Sequence, residues 1–220
     1  MAEKLVESFK NQLPICIVRP GAILGAHKEP LLGWSNTSSS ISQYYHMIFS
    51  GAYQTLLINP NGRFAITPVD YAVNTILAAA WRRGTFSDSG LVVYNCVPKS
   101  ENQVLHRQVI NWGYDTVQNQ SNAIIRYIFS PGYSTSKFMF RWKNRLFFEL
   151  CSFLMDPFGQ NGKHSLAMQQ LKACSIAQTF MPFSLNEWNF ITTNMERLEL
   201  EMNPKDRIIF YTDFGEINWE

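Results

Sequence analysis

A helix that runs straight into an apolar strand and a proline–glycine turn sets narrower limits on this fold than any other stretch of the chain. In Ala2-Glu3-Lys4-Leu5-Val6-Glu7-Ser8-Phe9 the apolar Ala2, Leu5, Val6 and Phe9 fall at helical spacing, and Asn11-Gln12 with Pro14 end the helix. Residues 15–19 then read as a strand buried on both faces of a parallel sheet, closed by Arg19-Pro20-Gly21. A strand and turn of this kind suits the later half of a nucleotide-binding α/β sheet, whose first strand-to-helix turn is Gly-rich. No such Gly-rich turn occurs in these 220 residues.

The rest of the first segment repeats the α/β pattern. Residues 26–40 form a loop rich in Gly, Pro, Ser and Asn, and Gln43 to Phe49 reads as a short helix stopped by Gly51. Thr67-Pro68-Val69-Asp70 leads into an Ala-rich helix from Tyr71 to Arg83, with Gly84 beyond it and Asp70 as its expected cap. Leu91 to Val97 is a second strand, after which Ser100 is expected to cap a helix reaching about Asn111. Beyond Gln118 the strand–helix alternation stops. Arg126, Lys137, Arg141, Lys143 and Arg145 stud an aromatic stretch that includes Tyr127, Phe129, Tyr133, Phe138, Phe140, Trp142, Phe147 and Phe148. Helices are expected over Ser165–Phe180 and Asn189–Glu201, the second stopped by Pro204, with a short element opened by Ser184 or Asn186 between them. Ile208-Ile209-Phe210-Tyr211 reads as a strand. The expected fold class is therefore α/β, the late portion of a Rossmann-type parallel sheet over residues 1–120, followed by a mainly helical unit over 121–220.

Composition removes several functions. A content of 46% hydrophobic residues supplies a core, and 19 basic against 17 acidic residues leave a net charge of +2, too little for a nucleic-acid footprint. Cys16, Cys96, Cys151 and Cys174 are too scattered for a metal pair or a disulfide framework and read as small core residues. His27, His46, His106 and His164 have no Cys or carboxylate cluster at ligand spacing, so no metal is expected. Residues 1–20 lack the order of a secretory leader, and the longest apolar run, Leu146 to Met155, is interrupted by Glu149 and is too short to span a bilayer.

A resemblance adds to this reading. Leu13-Pro14-Ile15 through Arg19-Pro20-Gly21, Glu29-Pro30 with Gly33-Trp34, and Pro68-Val69-Asp70 with Asn74 resemble the alcohol-forming fatty acyl-CoA reductases, which are extended short-chain dehydrogenase/reductases. Tyr94-Asn95, Phe180, Trp188-Asn189-Phe190, Asn194, Leu198, Asp206, Phe210, Asp213 and Ile217-Asn218-Trp219 continue the pattern in order. Other extended reductases, such as sterol-acting ones, are disfavoured by the Glu29-Pro30…Trp34 loop.

The resemblance implies NADPH as cofactor, long-chain fatty acyl-CoA as substrate, and a setting at the cytosolic face of the endoplasmic reticulum or a peroxisome, or in the cytoplasm for this stretch alone. It implies that Pro20, Gly21, Ala22 and Ile23 meet the nicotinamide end of the cofactor in a complete protein; in this chain alone they form a tight turn. Glu29 and Trp34 either line an acyl-pantetheine entrance or, for Trp34, cover an edge of the core. Such reductases use a Tyr and a Lys one helical turn apart, the Lys stabilising the ionised Tyr that protonates the carbonyl oxygen. By similarity that pair falls just before Met1, so no catalytic residue is expected here, and the chain reads as trimmed at both ends. The Tyr-x-x-x-Lys spacing of Tyr133–Lys137 follows a Pro131-Gly132 turn and reads as coincidence.

Two functions stay open. One is the reductase, represented incompletely; the other is a non-catalytic chain that binds acyl chains or a full-length reductase partner. Arg141, Lys143 and Arg145 with Leu146-Phe147-Phe148 and Phe153-Leu154-Met155 are either a surface for anionic lipid or a core helix with a solvated basic face, and composition tips towards the core helix.

Overall fold

The computed structural model describes residues 2–36, 38–49, 53–86, 90–118, 131–155 and 161–219. The chain groups into two compact units that interleave in sequence. The first comprises Met1–Asn36, Ala65–Gln103 and Asn189–Trp219, the second Thr37–Phe64 and Val104–Trp188. They are spatial groupings and not the consecutive stretches 1–120 and 121–220.

In the first unit, α1 (Ala2–Ser8) leads into β1 (Cys16–Pro20), which pairs in parallel with β6 (Val92–Cys96) in the register Cys16 to Val92 through Pro20 to Cys96. β2 (Ala22–Leu24) continues past the turn and pairs in parallel with β5 (Ile66–Pro68). α3 (Val69–Thr85) follows β5 without a break. The core beneath it gathers Tyr71, Ala78, Ala79, Tyr94 and Cys96 with Met195 and Leu198 of α7 (Thr193–Glu201), then Met202, Tyr211 and Phe214.

The buried-strand expectation for residues 15–19 is corrected here. Cys16 and Val18 pack on that core, but Cys16 to Val18 are only half-buried, and Arg19 and Pro20 are exposed. α1 buries none of its own residues and reaches β1 through the Glu3–Arg19 ion pair.

In the second unit, α2 (Ser40–Phe49) opens with the Ser39 hydroxyl accepting from the Ser42 N–H at 3.2 Å, three residues earlier than expected. β3 (Thr55–Leu57) pairs in parallel with β8 (Gly132–Ser134), and β4 (Arg63–Phe64) pairs antiparallel with β7 (Val104–Leu105). α4 (His106–Gln118), α5 (Lys137–Met155) and α6 (Asn161–Leu185) supply the helical mass. Tyr44, Ile48, Tyr53, Leu56, Leu57, Ile58, Ile110 and Phe140 form its core. The structure is thus mixed α/β, with short parallel pairs and a mostly helical remainder.

Other expectations change. Ser100 opens a short 3-10 turn, Ser100–Asn102, and the helix begins only at His106, after β7. Beyond Gln118, where no further strand–helix alternation is expected, β8 precedes α5 and forms across from β3. Ser184 does not start an element: it lies in the last turn of α6 and donates to the Leu57 carbonyl at 2.8 Å. Pro204 opens α8 (Pro204–Ile209), with Asn203 accepting from the Lys205 N–H at 3.0 Å. The strand expected at Ile208–Tyr211 is therefore the end of a helix, since a proline at the first helical position and an Asn cap favour helix over strand. The helix stop at Gly51 and residues Arg126, Tyr127 and Phe129 lie outside the described residues, as do the side chains of Phe148, Cys151, Phe153, Leu154, Met155 and His164.

Candidate functional site

The carboxyl ends of β1 and β6 meet at Gly21, which also stands beside the amino end of β5, in the first unit. Its N–H donates to the Cys96 carbonyl at 3.3 Å and to Thr67 Oγ1 at 2.9 Å, while Thr67 Oγ1 donates to the Cys96 carbonyl at 2.7 Å. The Ala22 N–H is taken by the Ala65 carbonyl at 2.9 Å. A Cβ on Gly21 would stand 2.4 Å from the Ala65 carbonyl oxygen, so glycine is required by this close approach. Two of the four turn residues thus spend their amides inside the protein. Pro20 and Ile23 leave their side chains exposed at the same end of the strands, where ligands meet open α/β sheets.

The neighbouring loop is held by Asp70. It was expected to cap the helix after it, but the helix starts at Val69 with Pro68 at the cap position and no side-chain cap. Asp70 sits in the first turn, and its carboxylate accepts from the N–H groups of His27 at 3.0 Å, Lys28 at 2.8 Å and Glu29 at 3.3 Å, and from the Tyr211 hydroxyl at 2.7 Å. Burial pushes this carboxyl up, yet the four donors outweigh it and hold Asp70 below the ordinary carboxylate range. Lys28 Nζ stands 4.5 Å from the Tyr211 ring centroid, and His27 meets Tyr71 edge-on at 5.8 Å.

Glu29 is thereby fixed through its backbone, and its bond to Pro30 is cis. A short ladder closes the loop: the Ala26 N–H donates to the Trp34 carbonyl at 2.8 Å and the Gly33 N–H to the Ala26 carbonyl at 2.8 Å, with Gly33 at φ +76°. The Trp34 side chain is about half exposed, and Leu31 and Leu32 project outward beside it. The loop is thus an ordered platform with an apolar rim, joined through Asp70 to the helix that follows β5. Its anchor was not legible in the sequence as such, because the donors lie some forty residues away from it.

A further opening in the first unit lies elsewhere. A cavity of about 240 Å³ lined by Leu77, Ala78, Trp81, Met202, Asp206 and Phe210 lies along the second half of α3. Cys16 Sγ, at the start of β1, stands 3.9 Å from the Ala79 carbonyl, so that half of the helix runs beside the opposite end of the strand from Pro20. Tyr133 lies in β8 and Lys137 is the first residue of α5, so the four-residue spacing does not stack them on one helix face. No group of His, Cys, Asp and Glu that could hold a metal occurs among the described residues. Cys16, Cys96 and Cys174 are free thiols, and burial pushes the Cys96 thiol up to about 11, the opposite of an activated nucleophile.

Parallel strand pairs, a Pro-Gly turn at their carboxyl end and a helical remainder define a Rossmann-type nucleotide-binding fold. Two family models described as male sterility protein, the first of them an NAD-binding one, match residues 1–76 and 143–220. Fatty acyl-CoA reductase 1 of Rattus norvegicus is 28% identical over the whole of this chain and 43% of its own length. Fatty acyl-CoA reductase wat of Drosophila melanogaster is 26% identical over the same shares, and fatty acyl-CoA reductase 2, chloroplastic, of Arabidopsis thaliana is 24% identical over the whole chain and 38% of its own length. The chain belongs to this fatty acyl-CoA reductase family and spans less than half the length of the relatives it matches. The family binds a nicotinamide cofactor.

Proposed function

We propose that the whole protein reduces long-chain fatty acyl-CoA to the alcohol with NADPH, and that residues 1–220 carry the later strands of its cofactor domain and its helical acyl-side unit. The sequence boundary near residue 120 between these parts is supported by the separation of the two family matches, 1–76 and 143–220. When bound, NADPH supplies the hydride for two successive reductions, thioester to aldehyde and aldehyde to alcohol.

The observation that carries the reading is the exposed pair Pro20 and Ile23 at the carboxyl end of the parallel strands, beside a loop pinned by Asp70. Pro20 and Ile23 give the nicotinamide end an apolar seat, whereas Gly21 and Ala22, their amides engaged, set the shape of the turn. Glu29 and the half-exposed Trp34 flank the acyl-pantetheine entrance. Among the described residues no Tyr and Lys four apart share one helix, so this stretch alone is expected not to turn over. The reaction belongs at the cytosolic face of the endoplasmic reticulum or of a peroxisome, close to its lipid substrates.

Purified residues 1–220 are mixed with NADPH and palmitoyl-CoA, and NADPH absorbance is followed; no oxidation is expected. The same chain extended at its N-terminus by a relative's cofactor-binding half should oxidise NADPH and yield hexadecanol. Failure of the extended chain removes the reductase reading. Turnover by residues 1–220 alone removes the assignment of the proton donor elsewhere.

A second reading, a non-catalytic chain that binds acyl chains or a full-length reductase partner, is favoured by the pairing of β1 on one edge only among the described residues. It requires that residues 1–220 bind palmitoyl-CoA, bind a longer relative or change that relative's rate, and absence of all three effects rejects it.

A further inference from the structure

The face of α5 turned away from the second unit's core carries an apolar stripe bordered by cations. Phe140 and Asn144, four residues apart, are the buried positions and are each 1% exposed. Phe138, Trp142 and Leu146, also at four-residue spacing, lie on the other side of the helix and are 73%, 53% and 52% exposed. By helical geometry Arg141 and Arg145 border this stripe on one flank and Lys143 on the other, and all three are exposed. Glu149 is the acidic residue of the helix, and it is paired with Arg145 at 2.8 Å. The sequence expectation of a core helix with a solvated basic face is corrected in one respect: large apolar side chains share the exposed face with the bases.

We propose that this face lies on an anionic lipid surface. Trp142 and Phe138 are the residue types that settle at the headgroup level, and long cations beside them reach outward to lipid phosphates while their stems cover apolar area. The charge sign selects the occupant, because both flanks of the stripe are cationic and the one acidic residue of the helix is already paired with Arg145, a pattern that suits an anionic headgroup surface. No helix among the described residues is long and apolar enough to cross a membrane, so the contact is one of lying on the surface. The proposal extends the membrane neighbourhood given under the proposed function and rests on that reading for its setting. Vesicle binding is read without turnover, so either can fail while the other stands.

Residues 1–220 are floated with vesicles of phosphatidylcholine alone and with about one third phosphatidylserine. Binding should appear on the anionic vesicles, fall as salt rises, and be weak on neutral ones. Arg141→Gln with Lys143→Gln should lower the partition about twentyfold, since each cation near such a surface contributes about fivefold. Phe138→Ser with Trp142→Ser should lower it about tenfold or more, with the far-ultraviolet circular dichroism unchanged because both side chains are exposed. Brominated lipid should quench the fluorescence of the unsubstituted chain more than that of Trp142→Phe. No binding to anionic vesicles, or binding that both pairs of substitutions leave intact, overturns the proposal. So does a dimer in solution that Phe138→Ser with Trp142→Ser dissolves while vesicle binding persists, which would make a second copy the occupant.

Discussion

The Tyr211 hydroxyl donates to Asp70 Oδ2 at 2.7 Å across 141 residues of chain, completing a set in which three backbone amides of the 27–29 loop use the same carboxylate. A carboxylate with four donors is a strong acceptor centre, and its loss is felt both in the core of the first unit and in the loop that bears Glu29.

Asp70→Asn should therefore cost about 2 kcal/mol and Tyr211→Phe about 1 kcal/mol in urea unfolding, with the double substitution costing less than the sum because the two share one bond. Strict additivity would refute the coupling. Since the donors hold the Asp70 carboxyl below its ordinary range, its contribution is complete above about pH 4 and is lost as the pH falls through its lowered folded value.

His106 titrates against the fold in a different window. It is 4% exposed, stacks on Phe64 at 4.6 Å between centroids, and leaves Nε2 without a hydrogen-bond partner. Burial pushes the imidazole down to about 4, opposed in part by a bond with the Phe183 backbone. The unfolded chain takes up this proton near pH 6.5 and the folded chain only near 4, so stability should decline as pH drops between those values, by about 2 kcal/mol from pH 7 to pH 5. His106→Gln should flatten that slope in urea unfolding at the two pH values. An unchanged slope would assign it to other groups.

Asn144 is the polar tie inside the second unit's core. Its Oδ1 accepts from the N–H groups of Gln54 at 2.7 Å and Thr55 at 3.1 Å, and its Nδ2 donates to the carbonyls of Thr55 and Phe140, each at 2.9 Å. Asn144→Leu keeps the bulk but strands these backbone groups, and should cost about 3 kcal/mol. Faster hydrogen exchange at Gln54 and Thr55 would accompany it, and unaltered exchange would count against the tie.

Two glycines give opposite expectations for one substitution. A Cβ on Gly113 would fall 1.9 Å from Phe49 Cζ, so Gly113→Ala should destabilise by about 2 kcal/mol. A Cβ on Gly84, in the last turn of α3, meets nothing within 4 Å, and Gly84→Ala should stabilise by about 0.5 kcal/mol. Thermal melts of the two variants should move in opposite directions.

Longer elements declared themselves in the sequence because their own patterns carry them. The helix at 2–8, the strand at 92–96 and the Ala-rich helix begun at Val69 were all legible from local periodicity. The strands at 55–57, 63–64, 66–68, 104–105 and 132–134 were not, since two or three residues hold no period and each is defined by a partner elsewhere in the chain. Ile208–Tyr211 misled because β-branched residues outweighed the Asn203 cap and Pro204 in the reading, whereas the cap decides the backbone. At the site, the Pro20–Ile23 turn was visible in the sequence. The donors of Asp70 were not, because nothing local marks a carboxylate that bonds to amides forty residues back.

The first unit's core is closed by Met195, Leu198, Tyr211 and Phe214 packing against Tyr71, Ala79 and Tyr94. During synthesis the ribosome delivers β1, α3 and β6 long before these side chains emerge, so a nascent polypeptide carries an open apolar face until residue 214 has cleared the exit tunnel. Chaperone holding over that interval, and premature stop codons upstream of Phe214 that leave insoluble product, are the cellular signatures of so late a closure.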